Sequence, residues 1–424
     1  MIRFILKGII RDRSRSLFPF LTVTAGVMLT VVTYCWVQGT KDDLIRANAN
    51  FGAGHVKVMS RAYAREADQI PNDLAYTGVA SLMDELYSRY PDLIWLPRIR
   101  FGGLLDIPDS LGETRSQSPV FGVSVNMIDP ESPEREILNL EKALVRGRIP
   151  SAPGEILISD TLAHRLMVKP AETATLISST MFGAMATANF TVSGTIRFGI
   201  SAMDRGAIIS DLKDIQFLLD MSDTAGEILG FYTDEIYREQ DAAIITAEFN
   251  QIHNQPDDDF SPVMQTLRDH AGLGQTLDLT AYVSTALILI FIFVMSIVLW
   301  NAGLMASLRR YGEMGIRLAI GEDKGHVYRS LVLESAMIGA FGSLAGTLCG
   351  LLIAYYLQTV GIDISSMMKN ASMMLSDVLR AKITPASYYI GFVPGLAATF
   401  LGTALSGLGI YRRQTSQLAK EFEG

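Results

Sequence analysis

Read for hydrophobic and polar positions, the chain divides into four long apolar blocks and one long mixed stretch. The blocks are Leu17–Val37, Leu279–Leu308, Ser335–Ile362 and Ile383–Tyr411, and none contains Asp, Glu, Lys, Arg or His. Each is long enough to cross a bilayer, which takes roughly 20 apolar residues per helix. The last three exceed a single crossing, which predicts helices that tilt or continue beyond the membrane as stalks. The expected spans are 17–40, 276–308, 331–358 and 387–411.

The stretch between the first two blocks patterns differently. Beyond Val37 a helix is expected to run through Asp42-Asp43-Leu44-Ile45-Arg46 and to stop near Gly52-Ala53-Gly54. His55-Val56-Lys57-Val58-Met59 then alternates as a half-buried strand does. Val79–Tyr90 is amphipathic and Pro119–Met127 alternates. Gly154–Ser159 reads as a strand leading into a helix at Asp160–Met167. Thr173–Ser179 and Asn189–Ile196 read as the strands of a hairpin. A short strand at Ala207–Ser210, a helix at Leu212–Met221, a strand at Thr233–Tyr237 and a helix at Ala242–His253 follow, with Asn254–Pro262 a loop. The expected fold is an integral membrane α-helical protein of four transmembrane helices, with a large α/β extracytoplasmic domain, residues 41–275, inserted between helices 1 and 2.

Outside these parts lie 1–16, 309–330, 359–386 and 412–424. In 1–16, Ile2, Ile5, Leu6, Ile9 and Ile10 recur at helical spacing among Arg3, Lys7 and Arg11. That suits an amphipathic helix on the cytoplasmic surface, or a flank that only fixes topology. Leu17–Val37 is too long for the core of a signal peptide and no small-x-small site follows it, so a retained anchor is expected.

Charge sets the orientation. Segments 1–16, 304–330 and 411–424 hold thirteen Lys/Arg against six Asp/Glu, whereas the remainder holds 23 against 38. The basic ends and the basic second loop belong on the cytoplasmic side, which places 38–278 outside the inner membrane. The acidity of that region excludes nucleic acid as its partner. Cys35 and Cys349 both fall in expected spans and form neither a disulfide framework nor a metal-ligand spacing.

No phosphate loop, H-E-x-x-H or G-x-S-x-G pattern is present, and the five histidines are scattered. No catalytic, cofactor or metal site is therefore expected. If ATP drives this protein, another chain binds it. The basic loop between spans 2 and 3 has a helical middle. Gly315 and Ala319, four apart, leave a smooth face for docking, Glu313 and Arg317 have salt-bridge spacing, and Gly321 ends the helix. An ordinary topogenic loop would explain its arginines but not that helix. Gly342, Gly346 and Gly350 form a small-residue face on span 3, for packing within one bundle or for a dimer contact. Gly391, Gly395, Ala398 and Gly402 do the same on span 4. Glu334, at the entry of span 3, is an interfacial acid that pairs with Arg317 or Arg329, or handles protons or substrate. The turn Thr180–Met185 is unusually apolar. Its Met181, Phe182 and Met185 either fold back onto the domain or contact a periplasmic partner.

At these residues the chain resembles the MacB/FtsX-like ABC transporter permeases. Tyr311–Gly321, followed by Leu331-Val332-Leu333-Glu334-Ser335 and the span 3 glycines, is similar to that superfamily's R-x-x-E-[IM]-G-I-x-R-A-x-G segment. Its arginine stands one place earlier relative to alanine than usual. Gly54-His55-Val56-Lys57-Val58 resembles a strand of the lipoprotein-releasing (LolC/LolE-type) branch. Gly154–Ile158, Phe190–Ile196 and Met203–Ala207 fit as well, while the tail Arg412-Arg413-Gln414-Thr415 departs from the usual ending.

The resemblance implies a dimer, with a second copy or a paralogue, in which each permease binds an ABC ATP-binding subunit holding ATP and Mg. It implies that Glu313, Gly315, Ile316, Arg317, Ala319 and Gly321 form the coupling helix that docks into that subunit. Closure of the ATPases would then move spans 1 and 2, and through their stalks the external domain. In the lipoprotein-releasing branch a lipoprotein is lifted from the inner membrane and handed to a carrier gripped by a hairpin. Met181–Met185 is the expected counterpart. Two further readings stand beside this one. FtsX-type control of a cell-envelope enzyme goes with smaller external domains. A drug or peptide efflux permease usually carries its ATPase on the same chain. A sensory receptor would need a cytoplasmic signalling domain, for which no segment is available.

Overall fold

In the computed structural model, residues 13–308, 311–364 and 378–407 are described. The expected surface helix at 1–16 lies outside these residues except for its last four, as do the tail 412–424 and residues 365–377 of the loop 359–386. The chain forms two compact units. One comprises residues up to Asp42 with Leu279–Ile362 and the segment from Leu379 onward; the other is Asp43–Asp278 with Asp363–Val378.

Among the described residues four helices are long and apolar enough to cross a membrane, and each lies wholly or mostly in the first unit. They are α1 (Arg13–Asn48), α6 (Leu273–Leu308), α8 (Lys324–Val360) and α9 (Phe392–Gly407). Val23, Val27 and Val31 make a buried ridge along α1. The glycines of α8 let that ridge approach: a Cβ on Gly346 would stand 2.6 Å from Thr24 O, and Gly342 and Gly350 lie against Val23 and Val31. Gly391 and Gly395 take Val27 and Val31 from the side of α9. Without water to expel, such close van der Waals contact is what holds apolar helices together. These glycines therefore pack within one bundle.

The apolar length of α6 is almost wholly exposed, whereas about a third of each other span is buried. A strap leading into α9 crosses α1 at Gly39, where any Cβ would collide with Arg380 O. There Lys382 N donates to Cys35 O at 2.8 Å, and the Lys382 ammonium pairs with Asp42.

The second unit is built on a ten-stranded sheet. Its strands are β1 (Val56–Ser60), β2 (Leu93–Pro108), β3 (Thr114–Val125), β4 (Leu144–Gly147), β5 (Glu155–Ser159), β6 (Thr173–Ser179), β7 (Met185–Ile196), β8 (Ala207–Asp211), β9 (Glu227–Tyr232) and β10 (Pro262–Thr266). They pair in the order β10-β1-β9-β2-β3-β8-β5-β7-β4, and β6 pairs with both β2 and β7. Six strands thus close on themselves, with β3–β8 and β5–β7 parallel. Ile99, Phe101, Leu105, Ile156, Ile158, Leu176, Phe190 and Ile208 share the core of this ring with residues of α3 (Asp160–Leu166) and α4 (Leu212–Leu218). The strands β10, β1 and β9 extend from it. Residues of α2 (Val79–Arg89) and α5 (Glu239–Ile252) share a second core with Trp95, Ile228 and Met264.

The expected strand at Thr233–Tyr237 is a correction. Those residues are a turn, with Glu235 at φ +57°, and the strand is β9, immediately before it. All of β9 is buried, so it shows no alternation to read. The loop expected at Asn254–Pro262 gives way at Pro262 to β10. The helix expected over Leu212–Met221 ends at Leu218.

Candidate coupling loop and domain tip

Between α6 and α8 lies a short helix, α7 (Tyr311–Ala319), which carries five of the six expected docking residues. Gly321, at φ +101°, stops it by donating to Leu318 O at 3.1 Å. Asp323 then caps α8 by accepting from the N–H groups of Gly325 and His326. Leu318 packs on Val327 and Leu331 of α8. Gly315, three residues before Leu318, is buried. The expected smooth face of Gly315 and Ala319 is thus covered at its glycine end. Among the described side chains, Ile316 and Ala319 on α7 and Ile320 just after it are exposed.

Arg317 donates from Nε and Nη2 to Glu322, both at 2.6 Å. This pairing holds the Glu322 carboxyl below its usual range. Arg317 is therefore bonded toward the α7–α8 turn; the Glu313 side chain lies outside the described residues. Glu334 sits half-buried on α8.

At the far end of the β6–β7 hairpin, Thr180 O and Oγ1 fix the turn by accepting from Gly183 N and Ala184 N. The three expected contact residues separate here. Met181 folds back: its N–H donates to Leu219 O at 2.9 Å and its side chain packs on the core. Phe182 and Met185 point outward, 75% and 81% exposed. Phe217, on α4 two residues before Leu219, is 89% exposed. The sequence reading did not single it out. Leu212, Ile215 and Leu218 supply the buried stripe of α4, and Phe217 stands off that stripe, which was the available signal.

The reading also missed a buried ionic cluster. Lys57 lies in an alternating strand, at a position that reads as solvent-facing, yet it is fully buried. Its Nζ is 3.1 Å from Glu227 Oε1 and 2.8 Å from His270 Nδ1, and Arg100 Nη2 is 3.1 Å from the same Glu227 oxygen. Burial raises the Glu227 carboxyl, but Lys57 and Arg100 outweigh it and hold the group ionised. Nearby in the sheet, Arg98 makes a two-point pair with buried Glu134 at 2.9 and 2.6 Å. Among the described residues no group of His, Cys, Asp and Glu has a metal-binding arrangement.

Residues 285–415, which include α7, α8 and α9, match the family model of the FtsX-like permease C-terminal domain. This part of the chain is an FtsX-like permease domain. Two relatives, both the lipoprotein-releasing system transmembrane protein LolC, come from Xylella fastidiosa strains Temecula1 and 9a5c. Each is 24% identical to this permease over 257 residues. The match spans 59% of the permease and only 59% of each relative's length. Among solved structures, the periplasmic region of MacB from Actinobacillus actinomycetemcomitans is similar over 53% of the permease and 94% of that chain. The identity is 11% and the TM-score 0.35, too low to equate the two folds.

Proposed function

We propose that this permease is the membrane subunit of an ABC transporter of the bacterial inner membrane. It receives work from a separate ATP-hydrolysing subunit, which holds the ATP and Mg, and delivers it to a periplasmic domain. The cargo is a lipoprotein or another lipophilic molecule drawn from that membrane. The observation that carries this reading is α7: an ordered helix inside the FtsX-like domain, on the basic side of the membrane, whose Ile316–Ile320 edge is exposed. Exposed apolar residues at one helix edge fit a groove on a partner. The relatives' names supply the cargo class, and Phe182 with Met185 supplies a contact surface for a carrier. The chain itself performs no chemistry.

The test is purification of the tagged full-length permease from its own membranes, with identification of what accompanies it. An ATPase that copurifies with the native chain, and is lost with Ile316→Glu and Ile320→Glu together, supports the reading. Retention of the ATPase by that variant overturns the assignment of α7. ATP-driven appearance of lipoproteins in the soluble fraction of membrane vesicles identifies the cargo. If ATP turnover instead alters an envelope hydrolase while no lipid-linked cargo leaves, the FtsX-type role replaces transport.

A further inference from the structure

The chain enters the external domain after Asn48 and leaves it before Leu273, and on the domain side these two places are neighbours. β1 pairs with β10, Val56 against Thr266, and Leu267 N donates to His55 O at 3.1 Å. Ile45, Ala49 and Ala53 from the entrance share one apolar cluster with Leu267, Leu273 and Leu277 from the exit and with Leu96, Leu229 and Phe231 of the sheet. The β1–β10 ladder sets the register of the two strands, but apolar contact is non-directional, so the cluster alone does not fix the turn that follows β10. The Lys57 ammonium adds direction. It bonds Glu227 on β9, which belongs to the sheet, and His270 in the turn that becomes α6. His270 in turn faces Gly52, where a Cβ would lie 3.4 Å from Nε2. Burial depresses the imidazole to about 4, so it is neutral and its Nδ1 accepts from Lys57. A buried ion pair is often replaceable by apolar side chains without loss of stability, so stability alone does not call for this one.

We propose that Lys57 and His270 are positioning residues that lock the entrance and exit of the domain into one rigid root, so that displacement of either span moves the whole sheet. This rests on the reading of the chain as an ATP-driven permease. The experiment uses the full-length permease copurified with its ATPase, in a Cys349→Ala background. Nitroxide labels at Lys213→Cys and Gln275→Cys report the distance between α4 and the start of α6. His270→Phe keeps the ring's bulk and removes the acceptor; His270→Gln restores an acceptor. The expected result is that His270→Phe broadens the distance distribution and lowers cargo release per ATP hydrolysed by about tenfold, the scale of a typical coupling energy. His270→Gln returns both toward the native values. A distribution as narrow in His270→Phe as in the native chain, or two variants that behave alike, overturns the proposal. If the native complex hydrolyses ATP but releases no cargo, the transport reading fails, and the label distances still decide whether the root is locked.

Discussion

A lysine sits dry in the middle of β1 because two groups, Glu227 and His270, bond its ammonium. Removing one partner from such a set is far more disruptive than never having built it, since the survivors stay buried and charged. Lys57→Met should destabilise the domain by about 3 kcal/mol, the lower end for a broken buried pair, because Arg100 still neutralises Glu227. Chemical denaturation of the full chain in detergent measures this. Two histidines set a pH dependence. His55 accepts from Tyr232 N–H at 3.0 Å and stacks on that ring, and burial pushes both His55 and His270 down to about 4. Both are neutral in the folded domain, while in the unfolded chain they take a proton below pH 6.5. Their contribution is complete above pH 6.5 and is lost as pH falls toward 4. The expected loss at pH 5 is about 2 kcal/mol for each histidine. Melting curves from pH 7.5 to 5 should show it, and His55→Phe should flatten part of the slope.

At the level of elements, those with a one-sided pattern were the legible ones. The four apolar blocks, the stop at Gly54, the hairpin strands and the α4 stripe all follow from periodicity and turn chemistry. β9 was misplaced because both its faces are buried, and Lys57 was misread because alternation says which side a residue faces, not what covers that side. The glycine rows were legible as close-approach surfaces, but only the fold shows that the valine ridge of α1 fills them. Gly346→Leu would drive a side chain into Thr24 O and Val27. Overpacking of this kind destabilises by about 1–3 kcal/mol, readable as a lower melting temperature in detergent micelles. The hairpin tip behaves oppositely. Phe182→Ser with Met185→Ser touches only exposed residues, so stability should stay within about 0.5 kcal/mol while hand-off of cargo to a carrier falls. Unchanged hand-off would leave the exposed apolar tip without a role.

Across the whole molecule, charge and hydrophobicity divide the labour. The basic segments and α7 belong to the proposed receiving side, and the acidic domain, with its closed ring of strands, to the delivering side. Among the described residues almost nothing covers the apolar length of α6, which leaves that surface for lipid or another helix. The strap over Gly39 has a further consequence, for the order in which the molecule is made. Lys382 and Asp42 are 340 residues apart in sequence. A ribosome synthesising this chain threads the first span into the membrane long before the residues that cross it exist. Throughout that interval the outer end of the span lacks its lock. A chain released early, without the strap, leaves Asp42 without the Lys382 ammonium and Gly39 facing an empty notch.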